Sequence, residues 1–123
     1  MKHLVAISFA FLFWSDTLMA SNSNLGTTKN PVIKPGGIYE VCMLLSPDDR
    51  LYYEFTSNAN LRFNIHYHEG NEVQYPVQVK LTSLEKAIFA PESRKNYCLM
   101  WENPVKNRVE LNLHYQTRNS TDI

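Results

Sequence analysis

Residues 61–68 read Leu61-Arg62-Phe63-Asn64-Ile65-His66-Tyr67-His68, an unbroken alternation of apolar and polar side chains. Successive side chains of a β-strand point to opposite faces, so this period of two predicts a strand with one face in a core. The apolar face carries Leu61, Phe63, Ile65 and Tyr67, and the polar face carries Arg62, Asn64, His66 and His68. Such one-sided burial is typical of an antiparallel sheet.

Similar short apolar runs recur along the chain and predict further strands. They lie at residues 38–45, 51–55, 73–79, 84–90, 96–101 and 108–115. Turn-forming segments separate several of them, including SPDD at 46–49 and SNAN at 57–60. No segment has the periodicity of an amphipathic helix. The sequence therefore predicts an all-β fold, an antiparallel β-sandwich of about seven strands.

The connection after residue 68 admits two registers. A two-residue turn at 70–71 would pair residue 68 with residue 73, whereas a three-residue loop at 69–71 would pair 67 with 73. We expect the three-residue loop, because it places apolar side chains opposite one another. Pro76 lacks an N–H donor, which predicts that the strand after this loop lies at a sheet edge or contains a bulge.

The composition is globular and carries no excess charge. Hydrophobic residues make up 44% of the 123, and 12 basic residues balance 12 acidic ones. This balance argues against nucleic-acid binding and against electrostatic attachment to a membrane surface. The four glycines form no phosphate-binding loop, and the sequence contains no nucleophile elbow or zinc-protease motif. We therefore expect a protein that is not an enzyme.

The first twenty residues have the layout of a secretory signal peptide. Lys2 precedes an apolar run that ends near Trp14, and Ala20 supplies the small residue before the expected cleavage point. The run is shorter than the roughly 20 residues that cross a bilayer, although an uncleaved N-terminal anchor or a buried helix is the alternative. The expected layout is a signal peptide at 1–20, a flexible lead-in at 21–35, the sandwich at 36–116 and a polar tail at 117–123. No later segment predicts a membrane span. The expected location is the bacterial periplasm or the extracellular space, or alternatively the lumen of a eukaryotic secretory pathway.

Cys42 and Cys98 are the two cysteines of the chain. In an exported protein an even number of cysteines predicts a disulfide. Two unrelated buried thiols are the alternative.

The order of motifs along the chain resembles a known domain. The motifs are YEVC at 39–42, LYYEF at 51–55, LRFNIH at 61–66, FAP at 89–91 and YCLMWEN at 97–103. Together they resemble the GOLD (Golgi-dynamics) β-sandwich, found in the lumenal part of cargo receptors of the early secretory pathway and in some lipid-transfer proteins. The resemblance implies a β-sandwich, a disulfide between Cys42 and Cys98, and a role in binding or trafficking.

Histidines are the candidate metal ligands. His66 and His68 lie two residues apart on one face of a predicted strand, where two imidazoles can share one Zn²⁺ or Cu²⁺ ion. His114 lies on the polar face of the last predicted strand, and would be a third ligand if that strand neighbours residues 61–68. An exposed polar face that happens to contain histidines is the alternative.

Tyr52 lies on the face opposite Leu51, Tyr53 and Phe55, which predicts a patch for a ligand or a partner. We expect an exported, non-catalytic binding module that contacts a protein partner and needs no cofactor. The first alternative is a small exported zinc or copper protein that uses His66 and His68. The second is a module that binds a lipid or another small apolar ligand.

Overall fold

The computed structural model describes residues 26–119, and these form strands joined by short turns and loops. The strands are β1 (Thr27–Lys29), β2 (Val32–Ile33), β3 (Ile38–Leu45), β4 (Asp49–Glu69), β5 (Glu72–Phe89), β6 (Lys95–Glu102) and β7 (Val109–Asn119). Every pairing is antiparallel, and the strands form one curled, sandwich-like sheet. The all-β, antiparallel prediction is thereby confirmed. Within 26–119 no helix is long and apolar enough to cross a membrane.

β4 is the strand around which the others assemble. Its 21 residues pair with β5 along one side. On the other side, residues 49–57 pair with β7 and residues 62–66 pair with β6. β3 extends the sheet beyond β6, and β1 and β2 both pair with β7. Because β7 and β6 share one side of the same strand, the sheet curls between them around a common core.

The predicted turn at 57–60 is wrong, because β4 continues through it and joins the runs 51–55 and 61–68. The pairing with β5 carries the strand onward, but with a shift in register. Thr56 pairs with Leu84 and Leu61 pairs with Thr82, so β4 contains extra residues between these pairs. The polar segment satisfies its own backbone there, since Ser57 Oγ donates to the carbonyl oxygen of Ala59 at 2.7 Å. Turn-forming residues thus mark a bend in a strand.

Other boundaries also differ from the prediction. The runs 73–79 and 84–90 form the single strand β5. β1 and β2 fall within the expected lead-in at 21–35, and β7 extends to Asn119, beyond the expected start of the tail. The sequence of β1 has no apolar alternation, so main-chain pairing with β7 forms this strand. The predicted signal peptide lies outside the described residues.

The hairpin between β4 and β5 has the two-residue turn, so the expected three-residue loop is wrong. His68 pairs with Val73, and Gly70 adopts a φ of 60° in the turn. Between the Tyr67–Gln74 and Ile65–Val77 pairs, β5 contributes one extra residue, which is a bulge at Pro76 of the kind that the sequence predicts. This bulge in β5, and not the length of the loop, brings Val77 opposite Ile65.

The core is centred on aromatic rings from β4 and β6. Trp101 is fully buried, with its ring centroid 5.2 Å from that of Phe63 and 5.4 Å from that of Phe55. The Phe55 and Phe63 centroids are 4.8 Å apart. These contacts join residues before and after the bend in β4, so the bend and the core depend on each other.

Asn103 holds the loop after β6 against the end of β2. Its buried amide nitrogen Nδ2 donates to the carbonyl oxygens of Ile33 at 2.9 Å and of Asn107 at 2.8 Å. Its Oδ1 accepts from the backbone N–H of Val105 at 2.9 Å. One side chain therefore satisfies backbone groups from two separate segments.

Substituting Phe63→Ala removes a fully buried ring from the centre of the core. We expect the free energy of unfolding to fall by about 3–5 kcal/mol, because both apolar burial and packing are lost. Urea denaturation followed by circular dichroism measures this loss. Leu44→Ala, at a position 56% exposed, is the control and is expected to change stability by about 0.5 kcal/mol. Equal losses in the two variants would contradict the central position of Phe63.

Substituting Asn103→Ala leaves buried backbone carbonyl groups without their donor. We expect a loss of about 3 kcal/mol in the free energy of unfolding, since several hydrogen bonds disappear without water to replace them. The same urea titration measures it. Asn112→Ala, at an exposed position of β7, is the matched control and is expected to stay within about 0.5 kcal/mol of the wild type.

Candidate functional site

The outer face of the sheet carries two adjacent rows of polar and sulfur-containing side chains across β4, β6 and β3. One row is Asn64, Met100 and Glu40, and the next row is His66, Cys98 and Cys42. Directly paired residues of neighbouring strands point to the same face, so each row is a line of side-chain neighbours. The opposite face of the same strands carries the aromatic core.

Cys42 and Cys98 form the predicted disulfide. They are direct partners in the pairing of β3 with β6, with Cα atoms 4.0 Å apart. Cys98 is buried, whereas Cys42 is exposed at the surface. The bond therefore joins an edge strand to the interior of the sheet, and one of its ends meets solvent.

His66 belongs to β4, pairs with Cys98 of the disulfide and is buried. Its Nδ1–H donates to Oδ1 of Asn64 at 2.7 Å, and its Nε2 lies 3.2 Å from Oε1 of Glu40. Burial lowers the pKa of His66, and the neighbouring His68 acts in the same direction. The carboxylate of Glu40 raises this pKa, but burial is the larger effect.

His68 lies beside His66 as the spacing predicts. The two ring centroids are 5.3 Å apart, and the ring of Tyr75 lies 5.9 Å from that of His66. His68 is exposed, however, and both nitrogens of His66 already face other side chains.

The prediction that His114 completes a metal site with these histidines is wrong. His114 lies on β7, where it pairs with Glu54 of β4 and with Thr28 of β1. Its Nδ1 is 2.9 Å from Oγ1 of Thr28. β7 neighbours the first half of β4, whereas His66 lies in the second half, where β6 is the neighbour.

A different group of potential metal ligands lies close together. In the range 26–119, the ligand atoms of Glu40, Cys42 and Cys98 lie within 4.8 Å of one another. Glu40 and Asn64 were not candidates in the sequence analysis. The spacings Glu40-x-Cys42 and Asn64-x-His66 show that each pair shares a face. The order of strands that brings these faces together depends on long-range pairing, which a single sequence does not reveal.

Tyr52 lies on the outer face and is partly covered. It pairs with Ile88 of β5 and with Gln116 of β7, and the guanidinium of Arg118 lies 4.7 Å above its ring. A surface groove of about 540 Å³ includes Tyr52, Ile88 and Arg118 in its lining. The predicted patch therefore consists of a ring stacked under a cation, beside an exposed apolar side chain.

β5 is an uncovered edge of the sheet. It pairs with β4 alone among the described strands, over a length of 18 residues. Large apolar side chains are exposed along it at Val73, Tyr75, Val79, Leu81, Leu84 and Ile88. Ile88 connects this row to Tyr52, so the edge and the groove form a continuous surface.

Comparisons with known proteins supply no family. No family model matches the chain, and no curated protein matches it. A solved structure with some similarity is the solution NMR structure of a de novo designed double-stranded β-helix. It is 16% identical, with a TM-score of 0.44, over 73% of this chain and 99% of that chain.

Lowering the pH below the ordinary histidine pKa of 6.5 should destabilise the protein. The pKa of His66 is lower in the folded chain, so the unfolded chain takes up the proton first and the free energy of unfolding declines. Urea titrations at about pH 7.5 and about pH 5.5 measure this decline. His66→Asn should reduce this decline most, and His68→Asn only slightly, because burial lowers the pKa of His66 more than His68 does. Equal declines in all three proteins would contradict the burial of His66 as its cause.

Proposed function

We propose that this chain is an exported, non-catalytic binding module that pairs with an extended segment of a partner protein along the edge of β5. The single observation that carries the proposal is the length of this uncovered strand together with its row of exposed apolar side chains. An enzymatic role is not proposed, because no catalytic motif was found in the sequence.

The backbone of β5 supports the proposal. An edge strand presents unpaired N–H and C=O groups along its open side, and a partner strand can add to the sheet by bonding to them. β3 also lies at an edge, but it has 8 residues against the 18 of β5. The longer strand offers more main-chain hydrogen bonds to a partner.

The side chains of β5 define the chemistry of the partner. Leu81 is 60% exposed and Leu84 is 66% exposed, which favours a partner segment that presents apolar side chains at alternate positions. Lys80 pairs with Glu85, so its charge is already compensated. Lys86 lies 3.9 Å from Oε2 of Glu54, so its charge also has a partner within the chain. We therefore assign the site to an extended segment with apolar side chains at alternate positions.

Export is supported by the disulfide, because disulfides persist mainly in oxidising compartments outside the cytosol. A location in the periplasm, outside the cell or in a secretory lumen stays a prediction. The resemblance to GOLD domains also stays a prediction, and it points in the same direction, because those domains occur in cargo receptors.

The test is site-specific photo-cross-linking in the cells that produce the protein. A photoreactive phenylalanine analogue replaces Leu81 or Leu84 on β5, and Leu44 on β3 serves as the matched exposed position. We expect β5 positions to give one adduct with a single partner and position 44 to give none. The partner is then identified by mass spectrometry, purified and titrated against the purified chain.

The double variant Leu81→Lys and Leu84→Lys is expected to weaken the purified complex at least about tenfold, since two apolar contacts would be lost. Leu44→Lys should leave the affinity unchanged. Melting curves show whether each variant is folded. An adduct between two copies of this chain would overturn the proposal, as would equal weakening by the two variants or no adduct from β5.

A further inference from the structure

Three potential ligand atoms lie together on the outer face at the disulfide, and a fourth, from His66, lies close to one of them. The three, from Glu40, Cys42 and Cys98, lie within 4.8 Å of one another. The fourth is Nε2 of His66, which lies 3.2 Å from Oε1 of Glu40. Two sulfurs, one imidazole nitrogen and one carboxylate oxygen are a donor set that suits Zn²⁺.

Asn64 orients His66 toward this group. The amide Oδ1 of Asn64 accepts from Nδ1–H of His66 at 2.7 Å, so in the neutral ring the lone pair of Nε2 points at Glu40. A histidine that binds a metal commonly donates its other N–H to such an acceptor. Nε2 and the carboxylate are both acceptors, and they face each other inside a site where the His66 side chain is only 6% exposed. A cation between them would satisfy both.

We propose that reduction of the Cys42–Cys98 disulfide converts this cluster into a zinc site whose ligands are Cys42, Cys98, His66 and Glu40. A dithiol reductant supplies the two electrons and two protons, forming two protein thiols and its own disulfide. Zinc binding then releases both protons as the thiols become thiolates. An external disulfide reverses the sequence, since it oxidises the two thiolates to the Cys42–Cys98 bond, is itself reduced to two thiolates, and the ion is released.

The two distances from Glu40 to neighbouring donors agree with such a site. In a tetrahedral zinc centre, neighbouring ligand atoms are roughly 3.3–3.8 Å apart. Oε1 of Glu40 lies 3.2 Å from Nε2 of His66 and 3.6 Å from Sγ of Cys42. After reduction, rotation about χ1 separates the two sulfurs while backbone pairing still holds β3 beside β6. Cys42 is exposed, which gives a dithiol access to its sulfur.

This site differs from the one that the H-x-H spacing predicts. Here His68 is a neighbour of the cluster and not a ligand, and His114 is not involved. The oxidation state of the two cysteines controls whether the ion binds. The site is also independent of the β5 edge, so the two proposals stand or fall separately.

The test is metal titration of the full chain in its oxidised form and after reduction by a phosphine, which does not itself supply thiols. Co²⁺ is the probe, because thiolate ligation produces a charge-transfer absorption that neither imidazole nor carboxylate gives. We expect the reduced chain to bind one Co²⁺ with this absorption and to lose it when Zn²⁺ is added. The oxidised chain should not show the band.

Variants of the reduced chain assign the ligands. Glu40→Gln and His66→Asn should weaken zinc binding about 100-fold as ligands, and Asn64→Ala about tenfold as the residue that positions His66. His68→Asn is the matched control, because it removes an adjacent imidazole that the proposal does not use. Its affinity should remain within about twofold of the wild type.

Several results would overturn the proposal. One is equal metal affinity in the oxidised and reduced chains. A second is weakening by His68→Asn as large as that by His66→Asn. A third is a reduced chain that binds no metal, or that loses its β-sheet circular dichroism and does not recover it when Zn²⁺ is added.

Discussion

The packing of Trp101 against Phe55 and Phe63 is the contact on which the rest of the structure depends. The two phenylalanines belong to the same strand, one before and one after its bend, and the tryptophan belongs to β6. Because a single indole contacts both, the strand can curl without losing its apolar contacts. β4 can therefore pair with β7 and then with β6 along one side. The outer rows of side chains, including the disulfide, take their positions from this arrangement.

After its bend, β4 has an apolar face in the core and a polar face on the outside of the sheet. The alternation at 61–68 places successive side chains on these two faces in turn. Phe63 and Ile65 pack into the core, while Asn64 and His66 occupy the opposite face and are also buried. A buried polar side chain needs a hydrogen-bonding partner, and His66 finds one in the adjacent row. Asn64 accepts from Nδ1–H of His66, while the carboxylate of Glu40 reaches across from β3 to face the acceptor Nε2. The polar face is thus an organised layer, whereas a simple solvated surface would leave its side chains free.

The alternation of side chains was sufficient to predict the fold class, the centres of the main strands and the shared face of His66 and His68, and the even number of cysteines predicted the disulfide. The alternation was insufficient where pairing between strands distant in sequence decides whether a segment is a strand or which residues meet. Residues 57–60 have turn chemistry, yet they stay within a strand because β5 pairs with β4 on both sides of them and Ser57 pairs with Leu111 of β7. β1 has no apolar pattern and forms because β7 offers it hydrogen bonds. His114 has the right chemistry and the right parity for a shared site, but β7 places it beside Glu54. The alternation along one strand shows which residues share a face. A site built from several strands also depends on which strands are neighbours, and a single sequence does not show that.

The tight turn at Gly70 has a consequence for how the chain reaches this structure. β4 and β5 are adjacent in sequence, and their pairing begins at the turn and extends outward along both strands. β-Hairpins with short turns form on a timescale of about 1–10 μs, because closing a short loop costs little entropy. The β4–β5 ribbon can therefore form early from local contacts. β6 and β7 come later in the chain, and in the folded sheet both pair with the side of β4 that the hairpin leaves open. A strand formed with its neighbour in sequence can thus serve as the template for strands that lie further along the chain.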